Sequence, residues 1–140
     1  MKIYNAEAQI VGRMATSIAK DLIKGEDVIV INAEKAVFAG NPKVKQKFYK
    51  ERLDRGHPKT GPFFPKTPEG IVKRAIRGML PYHKVKGQEA FRRLRVHVGI
   101  PDKYKDKEYI QVKEADAGKL KCKHITVEKL SLSLGAKKKW

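Results

Sequence analysis

A single α/β domain is the fold class this sequence predicts, and three observations predict it. Val28, Ile29, Val30 and Ile31 form an unbroken β-branched apolar run, as a parallel strand covered on both faces requires. Shortly before it, Val11, Met14, Ala15, Ile18, Ala19, Leu22 and Ile23 recur at the i, i+3, i+4, i+7 spacing of an amphipathic helix. The 140 residues are enough for one compact core and too few for two domains of ordinary size.

In chain order, Ile3 and Tyr4 open a short strand, the amphipathic helix follows until Gly25, and the β-branched run completes a strand, helix, strand order that implies a right-handed βαβ unit. Asn41-Pro42 supplies a cap and a first-turn proline for a second helix that runs to about Arg55, before Gly56. Its apolar stripe is thin: Val44, Phe48 and Leu53 are surrounded by Lys43, Lys45, Lys47, Lys50, Arg52 and Arg55. Most of that helix must therefore face solvent or an anionic partner. Residues 56–66 hold too many Gly and Pro for regular structure and, with Phe63 and Phe64, too many aromatics for a disordered linker, so an ordered loop is expected.

Thr67-Pro68-Glu69 starts a third helix, with Ile71, Val72, Ala75, Ile76, Met79 and Leu80 on the core face and Lys73, Arg74 and Arg77 elsewhere; Gly78 and Pro81 stop it. A basic turn, 82–87, leads to a short helix over 88–92 and an alternating strand over 94–98, which Gly99-Ile100-Pro101 breaks. A last helix runs from its cap Thr126 through Leu134 to Gly135, ahead of the charged end Lys137-Lys138-Lys139-Trp140.

Charge divides the chain into three. The whole carries 32 Lys and Arg against 15 Asp and Glu, a formal charge of +17, so its surface presents uncompensated positive potential to a polyanion. Residues 1–40 are near-neutral, with five cations, Lys2, Arg13, Lys20, Lys24 and Lys35, and about as many anions. Residues 41–107 hold 19 cations against 6 anions, and 108–140 supply the rest. The first part reads as scaffold with the βαβ start, the second as the binding region, the third as a tail.

Catalysis finds no motif. The first strand is followed by no G-x-G-x-x-G turn, so a dinucleotide site of the usual kind lacks its glycines. Gly56 and Gly61 copy the glycine spacing of a phosphate-binding loop, but Pro62 and Phe63 stand where Lys and Ser/Thr are needed. His57, His83, His97 and His124 are scattered, and Ser131 and Ser133 have no nucleophile-elbow glycines. The single cysteine, Cys122, excludes an internal disulfide and, although His124 is close, lacks further ligands at zinc spacing; a buried or bland thiol is expected. No apolar run reaches the roughly 18 residues of a spanning helix, and MKIYNAEAQI is not a signal peptide. Together with the lone thiol, this predicts a cytoplasmic protein without a membrane partner.

What remains is a mixture of cations, aromatics and glycine turns: Tyr49, His57, Phe63, Phe64, Tyr82 and Tyr104 lie among Lys and Arg. Structured RNA suits that mixture, because Lys and Arg neutralise phosphates, aromatic and guanidinium planes stack on unpaired bases, and glycine admits backbone N–H groups to phosphate oxygens. DNA suits it less, since no helix-turn-helix, zinc finger or basic zipper is apparent.

At Ile76-Arg77-Gly78-Met79-Leu80-Pro81 the chain resembles the universal ribosomal protein L thirteen family. Gly12-Arg13-Met14-Ala15, Val30-Ile31-Asn32-Ala33-Glu34, Gly40, Gly61-Pro62, Gly87 and residues 94–99 match in the family's order, so the resemblance covers about residues 1–100. Beyond Gly99 the chain looks like the archaeal and eukaryotic branch, without the long eukaryotic extension.

The resemblance implies a three-layer α/β/α fold around a four-stranded parallel sheet. It implies binding to large-subunit ribosomal RNA in the cytoplasmic ribosome, a role in early subunit assembly, and neighbouring large-subunit proteins, among them ribosomal protein L three. It implies neither a cofactor nor a reaction. Carried onto this chain, Arg74, Arg77, Lys84 and Lys86 are the first RNA contacts expected, with Arg13, Lys43, Lys47, His57 and Lys59 next, while Gly78, Pro81 and Gly87 shape the backbone. Each cation has a plainer alternative as a solvated surface charge. The same surface would also serve an RNA-binding translational regulator acting off the ribosome.

Overall fold

The computed structural model describes residues 1–138, so Lys139 and Trp140 of the predicted charged end lie outside the described residues. β1 (Lys2–Asn5) leads through α1 (Val11–Ile23) to β2 (Val28–Ile31). β1 and β2 run parallel, Lys2 beside Val28 and Asn5 beside Ile31. The stripe of α1 is buried from Val11 to Leu22, and every residue of β2 is buried. β2 is central because β4 (Leu94–Val96) pairs in parallel with its other edge.

Between them the chain passes through β3 (Val37–Ala39), α2 (Pro42–Asp54), α3 (Pro68–Arg77) and α4 (Val85–Arg92). After β4, the chain returns as β5 (His124–Thr126), antiparallel to β3, and ends in α5 (Val127–Ser133). The Thr126 side chain caps α5 by accepting from the Lys129 N–H at 3.4 Å. The β3–β5 ribbon was not expected, since three-residue strands are too short to show an alternating pattern.

Two features of the implied fold are corrected. Among the described residues three strands, not four, form the parallel sheet, in the order β1-β2-β4. At the β1 edge Ile110 runs alongside as an isolated bridge, donating to the Ile3 carbonyl at 2.8 Å and accepting from the Asn5 N–H at 3.1 Å. Its neighbours are diverted: the Tyr109 hydroxyl is held by the Tyr104 carbonyl at 2.7 Å, and a 3-10 turn begins at Lys113.

The layers are also unequal. α1, α3, α4 and α5 bury side chains against Tyr4, Val28, Val30, Leu94 and Val96 on one face of the sheet, and Tyr49 and Leu53 of α2 lie against the same core. On the other face Ile3, Ile29 and Ile31 are covered by Tyr104 and Tyr109 from a segment with one 3-10 turn, Asp102–Tyr104, and no α-helix. Period-two alternation fixes which residues face each side, but not how much chain will cover them.

α3 ends a turn earlier than its apolar pattern suggests. Met79 N–H and Leu80 N–H bond to the carbonyls of Ile76 and Arg77, each three residues back, at 3.0 and 3.1 Å. This tighter turn rotates Met79 out of the stripe to 41% exposure and returns Leu80 to the core. α4 starts earlier than expected, at Val85, and Gly87 permits it: a Cβ there would stand 2.1 Å from the Pro81 carbonyl oxygen. β4 is correspondingly short, ending at Val96 rather than Val98.

Candidate nucleic-acid interface

α2 contributes no buried residue. Its start is fixed by Pro42 and by the Asn41 side chain, which accepts from the Lys43 N–H at 3.1 Å. Phe48 and Arg52, one turn apart on its surface, meet with the guanidinium carbon 4.4 Å from the ring centroid. The same guanidinium lies 5.5 Å from the ring of Phe64, in the loop over 56–66. That loop is ordered, as expected: His57 and Gly61 exchange backbone hydrogen bonds of 3.2 and 2.9 Å. Gly56 permits the approach with φ 97°, in a place where a Cβ would lie 2.5 Å from the Gly61 oxygen.

Arg74 of α3 is the second guanidinium on Phe64, 3.8 Å from its centroid, and its Nη1 donates to the Phe63 carbonyl at 3.2 Å. Burial, followed by the charges of Arg77 and Arg52, lowers its pKa, although an arginine stays protonated in any protein setting. Arg77 is exposed and stacks on Tyr82 at 4.2 Å. Tyr82 meets Phe91 edge-on at 5.5 Å, and the Lys73 ammonium lies 5.2 Å from the Phe91 centroid. Cations and rings thus alternate from α2 across α3 to α4.

Each exposed stack contributes only about 0.5–1 kcal/mol, so their main effect is to hold guanidinium planes in fixed orientations. Among the described residues no ion pair involves an arginine. The forks therefore carry undiminished charge, matched in geometry to phosphate oxygens.

Two cavities adjoin at Arg74 and Gly78. One, of about 270 Å³, lies between α2, the loop and α3, with Phe48, Tyr49, Arg52 and Phe64 among its walls. The other, of about 280 Å³, opens between Arg77, Tyr82 and His83. Burial, partly opposed by the charge of Arg52, raises the Tyr49 pKa, so its hydroxyl keeps its proton at neutral pH.

The predicted contacts are distributed unevenly around this groove. Arg74 and Arg77 line it, but Arg74 is also a clamp on the loop. Lys84 and Lys86 are exposed at the start of α4, whose first turn holds no acidic residue, so both stand at the positive end of the helix dipole. Lys43 and Lys47 are exposed on α2, with Lys47 4.0 Å from Glu51. His57 uses Nδ1 to accept from the Lys59 N–H at 3.2 Å, forming the exposed loop tip. Arg13 is bound elsewhere, to the Glu114 carbonyl of the tail at 3.0 Å.

Sequence reasoning missed Arg52 as a site residue, although its i, i+4 spacing from Phe48 signals the pair. It also missed the basic strip of Arg92, Arg93 and Arg95 near Tyr104. Cys122 is an exposed free thiol, and among the described residues no three His, Cys, Asp or Glu converge as metal ligands.

Residues 1–103 match the model of the family described as ribosomal protein L13. A large ribosomal subunit protein uL13 of Methanosarcina barkeri is 42% identical over 139 residues, covering 98% of this chain and 99% of the relative. That of Sulfurisphaera tokodaii is 46% identical over 138 residues, covering 95% and 93%, and that of Archaeoglobus fulgidus 41% over 135, covering 95% and 86%. With a family match over most of its length and relatives that align almost end to end, this chain belongs to the ribosomal protein L13 family.

Proposed function

We propose that this chain is a non-catalytic constituent of the large ribosomal subunit and holds ribosomal RNA against the groove formed by α2, α3 and the turn into α4. The observation that carries the reading is the set of arginines, Arg52, Arg74 and Arg77, each stacked on an aromatic ring and none paired with a carboxylate. Such planes recognise phosphates and unpaired bases together. Arg77, Lys84 and Lys86 act at the end near α4; Lys43, Lys47, His57 and Lys59 extend the surface along α2 and the loop tip. Arg13 contributes by anchoring the tail. Neighbouring ribosomal proteins, with ribosomal protein L three as the nearest expectation, meet the remaining surface, and binding takes place early in subunit assembly.

Sedimentation of cell extract at high salt tests this. The chain is expected to travel with the large subunit, and Arg52→Glu combined with Arg77→Glu is expected to shift it to the light fractions while its melting temperature is kept. Wild-type chain found only in light messenger particles would instead establish the off-ribosome regulator.

A further inference from the structure

The cavity between α2, the 56–66 loop and α3 has walls unlike the rest of the groove. Phe48, Tyr49, Phe64 and Ile71 supply rings and apolar surface, Arg52 and Arg74 supply donors, and no carboxylate lines it. Its volume, about 270 Å³, is below the roughly 300–1,000 Å³ of pockets for drug-sized ligands. Gly78 stands where this cavity meets the one beside Arg77 and Tyr82. Its φ of −63° is open to any residue, so its backbone conformation does not demand glycine. A Cβ there would meet only the Ala75 and Arg74 carbonyl oxygens, at 3.5 and 3.8 Å. The two cavities share Arg74 and Gly78 as walls, so the missing side chain keeps their junction small.

We infer that the aromatic cavity is a socket for one unpaired base turned out of an RNA helix. This rests on the RNA-binding reading above and specifies which RNA feature the groove selects. The base stacks among the rings and guanidinium planes, its acceptor atoms receive N–H groups of Arg52 and Arg74 and the Tyr49 O–H, and its own phosphate lies at Arg77 beyond Gly78. An apolar side chain from a neighbouring protein fits less well, because it would bury these donors without an acceptor. A fully paired helix cannot use the socket, since its bases stay stacked.

The full-length chain is titrated with a fully paired RNA duplex and with the same duplex carrying one unpaired adenosine. Stacking of one base is expected to favour the second by roughly tenfold. Gly78→Leu places a bulky side chain at this junction without changing charge and is expected to erase that preference, read as the ratio of the two affinities. Should Gly78→Leu fail to fold in a thermal melt, Phe48→Ala, which removes a half-exposed wall and the ring under Arg52, is compared by the same ratio, which cancels any loss common to both RNAs. Equal affinity of the wild type for both RNAs, or a preference that survives the substitution, overturns the socket. Absence of affinity for either RNA even at about 50 mM salt, where phosphate contacts are strongest, would instead overturn the broader RNA-binding reading, so the two failures are distinguishable.

Discussion

Arg74 and Arg77 are three residues apart on one helix, yet their surroundings assign them different work. Arg74 is partly buried, stacked on Phe64 and bonded to the Phe63 carbonyl, so its removal frees the loop that walls the groove. Arg77 stacks on the exposed Tyr82 ring. Arg77→Ala is therefore expected to weaken rRNA binding by about 1–3 kcal/mol with an almost unchanged melting temperature. Arg77→Lys should fall between it and wild type, because lysine keeps the charge and loses the planar fork. Arg74→Ala should lower both affinity and melting temperature. Filter binding paired with thermal melts separates these cases, and an Arg77→Ala chain that binds like wild type reduces that residue to a solvated charge.

At the scale of elements, a long apolar stripe was legible and a short or long-range feature was not. α1 and β2 could be read directly because seven-residue repeats and β-branched runs are decided locally, and Ile18 lies fully buried as its spacing required. Ile18→Ala is expected to cost about 2–5 kcal/mol. A urea melt checks this, and an unchanged melt with weakened RNA binding would move residues 1–40 from scaffold to recognition. The end of α3 was misjudged because a tightened last turn leaves the composition unchanged while rotating Met79 outward. The β3–β5 ribbon and the single-residue contact of Ile110 join segments far apart in sequence, and no local pattern encodes such pairing. The cations of the site were visible from charge alone. Their partners were not, because Phe64 meets Arg52 and Arg74 only after the 56–66 loop has folded between α2 and α3.

Over the whole molecule, the near-neutral first 40 residues build the centre of the sheet and the main helix, while most of the +17 charge enters with the elements that follow. Such a division makes a prediction in salt that neither residue nor element alone could make. If the groove and its flanks neutralise six or more phosphates, rRNA affinity should fall by roughly a thousandfold between about 50 and 200 mM salt, since each neutralised phosphate releases condensed counterions. The source of that slope can be located by two charge-removing variants. Lys43 and Lys47 are exposed on α2, beside the groove, and replacing both with alanine should flatten the logarithmic slope by about two, one for each lost phosphate contact. Lys20 and Lys24 are equally exposed but belong to α1 and the turn after it; replacing both removes the same formal charge and should leave the slope unchanged. Equal flattening by the two variants would mean that net charge, not a located surface, sets the affinity. A response to salt that is flat in the wild type would remove the electrostatic interface altogether.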